Sequence, residues 1–405
     1  MSGRRHVWAR IRGRSPRYLA QYAALRLSAR LNARELEFPL LPEDLADSLT
    51  HRPPPPARPG PGEGLRVAWL AIPPSAGSGG HTTQFRMMQA AVEAGQDTTL
   101  LLYDRHGGDF ERNAATVREA WPWLTAGIRP VEERIRGYDA VVATSWPTAH
   151  VAASRVDEGR ILSFIQDYEP YFLPRGAEYA LAEDSYHFGF RHIALGRMVA
   201  SVLADEAGVF SDEVPFGCDT ETYRLQRATG ARRGVVLYAK RGNDRRGFAL
   251  AMRALELFHD ACPDEPIHVY GDRVDDAPFP VVQHGSVTPA RLNELYNGVV
   301  AGLALSFTNI SLVAEEMLAA GVVPVIGDSP LARADLPNPH AAWGRATPSG
   351  LAGPLIDAVR REGRDEYARQ VAASVVGRSW RRTQEATVAI IADEVMRARL
   401  TSIRR

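Results

Sequence analysis

Lysine is almost missing from this chain. Of 48 basic residues, 47 are arginine, and the single lysine is Lys240. Cysteine is scarce too: Cys218 and Cys262 lack metal-ligand spacing and are too few for a disulfide framework. No run approaches the roughly 18 apolar residues of a membrane span. The charged amino terminus has no apolar signal core, so the expected compartment is the cytoplasm. Acids and bases balance at 48 each, which gives no general attraction to a polyanion, and no nucleic-acid-binding module stands out. No His, Cys or carboxylate pair has metal-ligand spacing and no Asp-x-Asp motif occurs, so metal-independent chemistry without a cofactor is expected. What is present is an ordinary globular composition, 45% hydrophobic and 24% charged, long enough for two or three domains.

The most informative stretch is Leu305–Ile326, LSFTNISLVAEEMLAAGVVPVI. It reads as a strand end, a polar loop, a helix and a second strand. Ser306, Thr308, Asn309 and Ser311 crowd the loop, and such residues cap helices by satisfying free N–H groups of the first turn. Those N–H groups and the helix dipole form a natural anion site. Leu312, Val313, Met317 and Leu318 supply an apolar stripe, with Glu315 and Glu316 between them, and Gly321 closes the helix. In an open α/β sheet this loop lies at the carboxyl end of the strands, where ligands bind.

Along the chain, residues 1–51 begin as a basic arm with nine arginines before the first acid, Glu35. Interleaved apolar residues allow two readings: an amphipathic element on an anionic membrane, or a helical arm packed on the protein. Residues 52–64, with four consecutive prolines, read as a polyproline linker. A first Rossmann-like domain is expected over 65–212. It opens with the strand LRVAWLAI, a loop holding Gly77, Gly79 and Gly80, and a helix started by His81 and Thr82 whose apolar face is Phe85, Met88 and Val92. A further strand, ILSFIQDY, runs into Asp167, Tyr168, Glu169 and Tyr171, at the position of a cleft. Carboxylates there accept hydroxyl hydrogen bonds or a proton, and aromatic faces cover sugar C–H surfaces. A second domain is expected over 213–378, with Lys240, Arg241 and Arg246 after its first strand. Residues 379–405 are expected to form a helix that returns to the first domain.

Several of these segments resemble family 4 glycosyltransferases of the GT-B fold, in which two Rossmann-like domains face a cleft. The match runs over roughly residues 65–400. Glu316 takes the place of the second glutamate of the family's donor motif, while the first falls on Thr308. The forms Thr308-Asn309-x-Ser311-Leu312-Val313, Gly79-Gly80-His81-Thr82-Thr83 and Gln166-Asp167-Tyr168-Glu169-Pro170-Tyr171-Phe172 resemble a branch of rhamnosyltransferases of bacterial surface-polysaccharide synthesis. Glu213–Leu225 is similar to the family's interdomain segment, with Cys218 and Tyr223 in place of valine and phenylalanine. Arg241 and Arg246 match the two basic positions that grip the donor diphosphate, with Lys240 beside them.

The resemblance implies an α/β GT-B enzyme with an N-terminal helical extension, which moves L-rhamnose from dTDP-L-rhamnose to a glycan or lipid-linked glycan with retention. It implies donor contacts from Gly79, Gly80, Lys240, Arg241, Arg246, Asn309, Ser311, Leu312 and Glu316. Asp167, Glu169 and His81 are the catalytic candidates, and Tyr168 and Tyr171 the acceptor-binding ones. Two alternatives stand beside it: the same fold with GDP-mannose or a UDP-sugar, and a catalytically silent scaffold that binds a glycan.

Overall fold

The computed structural model describes residues 15–58, 64–226 and 231–403, and divides into a short amino-terminal unit, 1–45, and a main unit, 46–405. In the short unit a helix spans Pro16–Arg30. Ser15 caps it, its hydroxyl accepting from the Tyr18 N–H at 3.2 Å. At roughly 3.6 residues per turn, Tyr18, Tyr22 and Leu25 share one side, while Leu27 falls on the other. Leu25 and Leu27 are both exposed. The described part of the arm therefore does not gather its apolar residues on one face, as a helix lying on a membrane would. Residues 1–14, which carry five of the nine arginines, lie outside the described residues.

The main unit contains two wholly parallel sheets. The first has strands β1 (Arg66–Ala71), β2 (Asp97–Leu102), β3 (Gly127–Pro130), β4 (Ala140–Ala143), β5 (Arg160–Ile165), β6 (Arg191–Leu195) and β7 (Asp212–Val214). Their spatial order is β3-β2-β1-β4-β5-β6-β7. The second has β8 (Val235–Ala239), β9 (Ile267–Gly271), β10 (Val282–Gly285), β11 (Ala301–Leu303), β12 (Val323–Gly327) and β13 (Ala342–Gly344), in the order β10-β9-β8-β11-β12-β13. Each order steps outward from its first strand and then jumps to the other side. That reversal opens a crevice at the carboxyl ends of β1 and β4, and again at those of β8 and β11. The central strands are unbroken apolar runs, because helices cover both faces of a parallel sheet. VAWLA of β1 is buried throughout.

Residues 46–58 lie along the first domain. The Ala46 N–H donates to His150 Nδ1 at 3.1 Å, Ser48 Oγ donates to Asp184 at 2.5 Å, and the Pro55 carbonyl accepts from Gly159 N–H at 2.8 Å. The four prolines thus form part of a packed surface strap. At the other end, the helix Arg381–Ile403 packs on the first domain's helix Gly79–Glu93. Ion pairs Arg191–Asp393 (2.6 Å), Arg160–Glu394 (2.8 Å) and Arg399–Asp139 (2.8 Å) hold it there. Trp380 leads into this helix and presses on Gly217, where a Cβ would come within 2.6 Å of the tryptophan backbone. Among the described residues no helix is long and apolar enough to cross a membrane.

Candidate active site

The crevices of the two sheets face each other, and their loops meet. The Gln166 side chain, just past β5, donates from Nε2 to the Gly80 carbonyl at 2.9 Å. Its backbone carbonyl accepts from Asn309 Nδ2, in the loop after β11, at 3.2 Å. The next residue, Asp167, has one carboxylate oxygen 2.7 Å from the donating Thr308 hydroxyl and the other 2.9 Å from Arg245 Nη1. Arg245 also lies over the Phe172 ring, 4.2 Å from its centroid. The glycine loop, the β5 loop, the β8 loop and the β11 loop are thereby brought to one place.

On the second domain's side, the turn Asp244–Arg246 ends at Gly247, whose φ of +62° suits glycine. The Phe307 N–H donates to the Arg245 carbonyl at 3.1 Å, which joins this turn to the β11 loop. Arg246 has no ion pair or hydrogen bond from its guanidinium among the described residues, and its Nη1 is buried without a partner. Burial, and next the charge of Arg245, pull its pKa below the usual arginine value. A desolvated, unpaired guanidinium is costly, and an anion at this point would satisfy it. The helix Leu312–Ala319 begins in the neighbouring loop, capped by Ser311, whose Oγ accepts from Val313 N–H at 3.3 Å. Its open first turn adds positive potential. One turn further, Glu316 is partly buried. Burial first, then Asp219, push its carboxyl up to about 7 against the pull of Arg86. Burial above all raises the hydroxyl pKa values of Tyr223, Tyr270 and Tyr296, and the Glu316 charge adds to the rise.

Several expected site residues have other work. Arg241 turns away from the crevice: its guanidinium pairs with Asp276, its backbone N–H donates to Asp272 at 2.7 Å, and it stacks on Phe248 at 4.6 Å. An acidic loop after β9 outcompetes the crevice for it. Lys240 is exposed at the end of β8. Tyr168, expected to bind acceptor, is fully buried; its hydroxyl donates to Glu183 at 2.8 Å and its ring stacks on Tyr186. Tyr171 is 40% exposed, with its hydroxyl donating to Glu206 at 2.9 Å.

Glu169 accepts the N–H of Trp146, the first residue of the helix Trp146–Arg155, and so satisfies a free donor at that helix's start. Burial pushes its carboxyl up to about 8, so the proton is largely retained at neutral pH. His81 braces its loop: Nε2 bonds the Ile72 carbonyl at 3.3 Å, which makes Nδ1 the acceptor for the Ser78 hydroxyl at 2.8 Å. Neither nitrogen is left to take a substrate proton. Asp167 likewise has both oxygens engaged, so none of the three catalytic candidates stands as a free base. Gly79 and Gly80 open the helix Gly79–Glu93, and space for a ligand remains over Gly79, where an added Cβ meets nothing within 4 Å.

Sequence reasoning missed Arg245, Gln166 and Arg86. Arg245 stands beside Arg246 in an Arg-Arg pair, and nothing in one dimension says which of the two reaches the other domain. Arg86 pairs with Asp219 at 2.8 Å and lies over Trp380, joining the helix Gly79–Glu93 to the interdomain segment.

No protein-family model matches the chain. In an alignment of 281 positions that covers 65% of this chain, it is 30% identical to the O-antigen biosynthesis protein RfbC of Myxococcus xanthus, and it spans 22% of that protein. The structure is similar to a glycosyltransferase from Rickettsia africae (TM-score 0.60, 10% identity, 82% of this chain and 99% of that one). It is equally similar to Anabaena Alr3699/HepE, solved with UDP and glucose (TM-score 0.60, 12% identity, 82% and 99%). Two parallel Rossmann-like sheets, opposed crevices and a last helix that returns to the first domain make this the GT-B fold.

Proposed function

We propose that this chain is a glycosyltransferase of bacterial surface-polysaccharide synthesis that takes its sugar from a nucleoside-diphosphate donor. The observation that carries the reading is Arg246: a half-buried guanidinium whose Nη1 is enclosed without a partner, beside a capped helix start, at the switch point of the second sheet. The donor diphosphate fits there, against Arg246 and the first turn of Leu312–Ala319, with Glu316 placed for the nucleoside hydroxyls. The Myxococcus relative, by its name, belongs to O-antigen biosynthesis, and a structural neighbour was solved with UDP and glucose. Both support the class of reaction.

The finer assignment is dTDP-L-rhamnose as donor and a glycan or lipid-linked glycan as acceptor, without a cofactor, on the cytoplasmic side. Its support is the run Gln166–Phe172 together with Thr308–Val313. The bond that breaks is the one between the anomeric carbon and the diphosphate oxygen; the acceptor hydroxyl forms the new bond. With Asp167, Glu169 and His81 all engaged, the departing phosphate itself takes the acceptor proton on the face it leaves, which gives retention. Catalysis is then phosphate neutralisation and positioning. Isothermal titration with dTDP, UDP and GDP, followed by transfer assays with the nucleotide-sugar of the tightest binder, tests this reading. Binding of none of the three would end it, and tightest binding of UDP or GDP would replace rhamnose by another sugar.

A further inference from the structure

The two domains exchange carboxylates. Asp167 leaves the end of β5 in the first domain and places both oxygens on the second, on Thr308 and Arg245. In the opposite direction, Asp335 ends the second domain's helix Pro330–Asp335 and caps the first domain's helix Arg197–Ala207. Its oxygens accept from Arg197 N–H at 2.6 Å and Met198 N–H at 3.1 Å. Gly196, at φ +87°, makes that approach possible: a Cβ there would stand 2.6 Å from an Asp335 oxygen. Asp167 is 9% exposed and Asp335 half-buried, and each carboxylate's partners lie on the other domain, so neither would keep them if the domains parted.

We propose that Asp167 and Asp335 are reciprocal latches that hold the cleft closed, and that Asp167 is a positioning residue which sets Arg245, and through it Arg246, on the anionic ligand. This rests on the donor reading above only for the identity of the ligand. The charges argue for the coupling. Asp167, Arg245 and Arg246 together carry one excess positive charge in the closed cleft, and Arg246 alone lacks a counter-ion. A diphosphate supplies it, so the closed arrangement and the bound anion stabilise one another. A ligand that prefers the closed state binds with an apparent affinity reduced by whatever fraction of molecules is open.

The test uses Asp167→Asn, Asp335→Asn and the double variant, with the exchanged pair Asp167→Arg/Arg245→Asp as the rescue. Small-angle scattering reads the radius of gyration without ligand, and calorimetry with dTDP reads affinity; circular dichroism confirms that each variant is folded. The expected result is a larger radius for each single variant and a further increase in the double. The dTDP affinity should fall about tenfold in Asp167→Asn, the loss of one charge-assisted hydrogen bond, and the exchanged pair should recover part of both. Raising dTDP should return the radius of the single variants to the wild-type value. Unchanged radii in the folded double variant would overturn the latch. Should the wild type bind no dTDP while the variants open, the donor reading fails and the latch stands.

Discussion

Asp167 and Arg245 belong to different domains and meet at 2.9 Å, with the Phe172 ring beneath the guanidinium. Burial raises the Asp167 carboxyl above the usual carboxylate range, and Arg245, then Thr308, offset part of that rise. The pair therefore commits the Arg245 charge to the protein itself and leaves the half-buried Arg246 without an ion pair among the described residues.

That division predicts unequal effects of the basic side chains. Arg246→Ala should weaken dTDP binding by at least about tenfold, as expected for a lost charge-assisted hydrogen bond of ~1.5–3 kcal/mol. Arg241→Ala should change it by no more than about threefold, because Arg241 is committed to Asp276 and Phe248. Titration calorimetry on both folded variants checks this. The reverse order would move the diphosphate to the Arg241 side of the turn.

Burial, with Asp219 adding to it, pushes the Glu316 carboxyl up to about 7, so it titrates near neutral pH. As a carboxylate it accepts nucleoside hydroxyls better than as an acid. Nucleotide affinity should rise as pH is raised from 6 to 8 in the wild type, and this slope should shrink in Glu316→Gln. Equal slopes in the two proteins would remove Glu316 from the donor site.

Glu169 makes a prediction about stability. Its folded pKa of about 8 lies above the ordinary carboxylate value, so between the two the folded state binds more protons than the unfolded state. Stability from this group is thus present at low pH and lost as pH rises toward 8. Glu169→Gln keeps an oxygen for the Trp146 N–H and cannot ionise. Its melting temperature relative to wild type should therefore increase from pH 5 to pH 8. A constant difference across that range would show that the carboxyl is not held protonated.

Arg232 lies away from the cleft and tests the second domain's frame. Its guanidinium is buried among backbone carbonyls, donating to Val299 at 2.9 Å, Gly321 at 3.1 Å and Ala320 at 2.5 Å. Burial pulls its pKa down to about 10. Arg232→Ala strands several buried carbonyl acceptors, and a buried polar group left unpaired costs about 1–3 kcal/mol, so the variant should be clearly destabilised. Chemical denaturation would show it as a lower midpoint. The first domain's fold should be spared, as judged by hydrogen exchange in β1 and β4.

What the sequence determined on its own is the alternation of buried strands and amphipathic helices, and with it two Rossmann-like halves. Local rules suffice there: apolar runs such as VAWLA at β1 suit doubly covered parallel strands, and Ser311 before Leu312 suits a helix cap. The loops at the strand ends were legible for the same reason, since topology puts them at the cleft. The partner of each loop side chain was decided only in three dimensions. Asp276 claims Arg241, Glu183 claims Tyr168, Trp146 claims Glu169, and Ser78 with Ile72 claims His81. Asp167 finds Thr308 and Arg245 more than 70 positions away. Hydrogen bonds and ion pairs act over about 3 Å, and the fold alone sets which groups come within that reach.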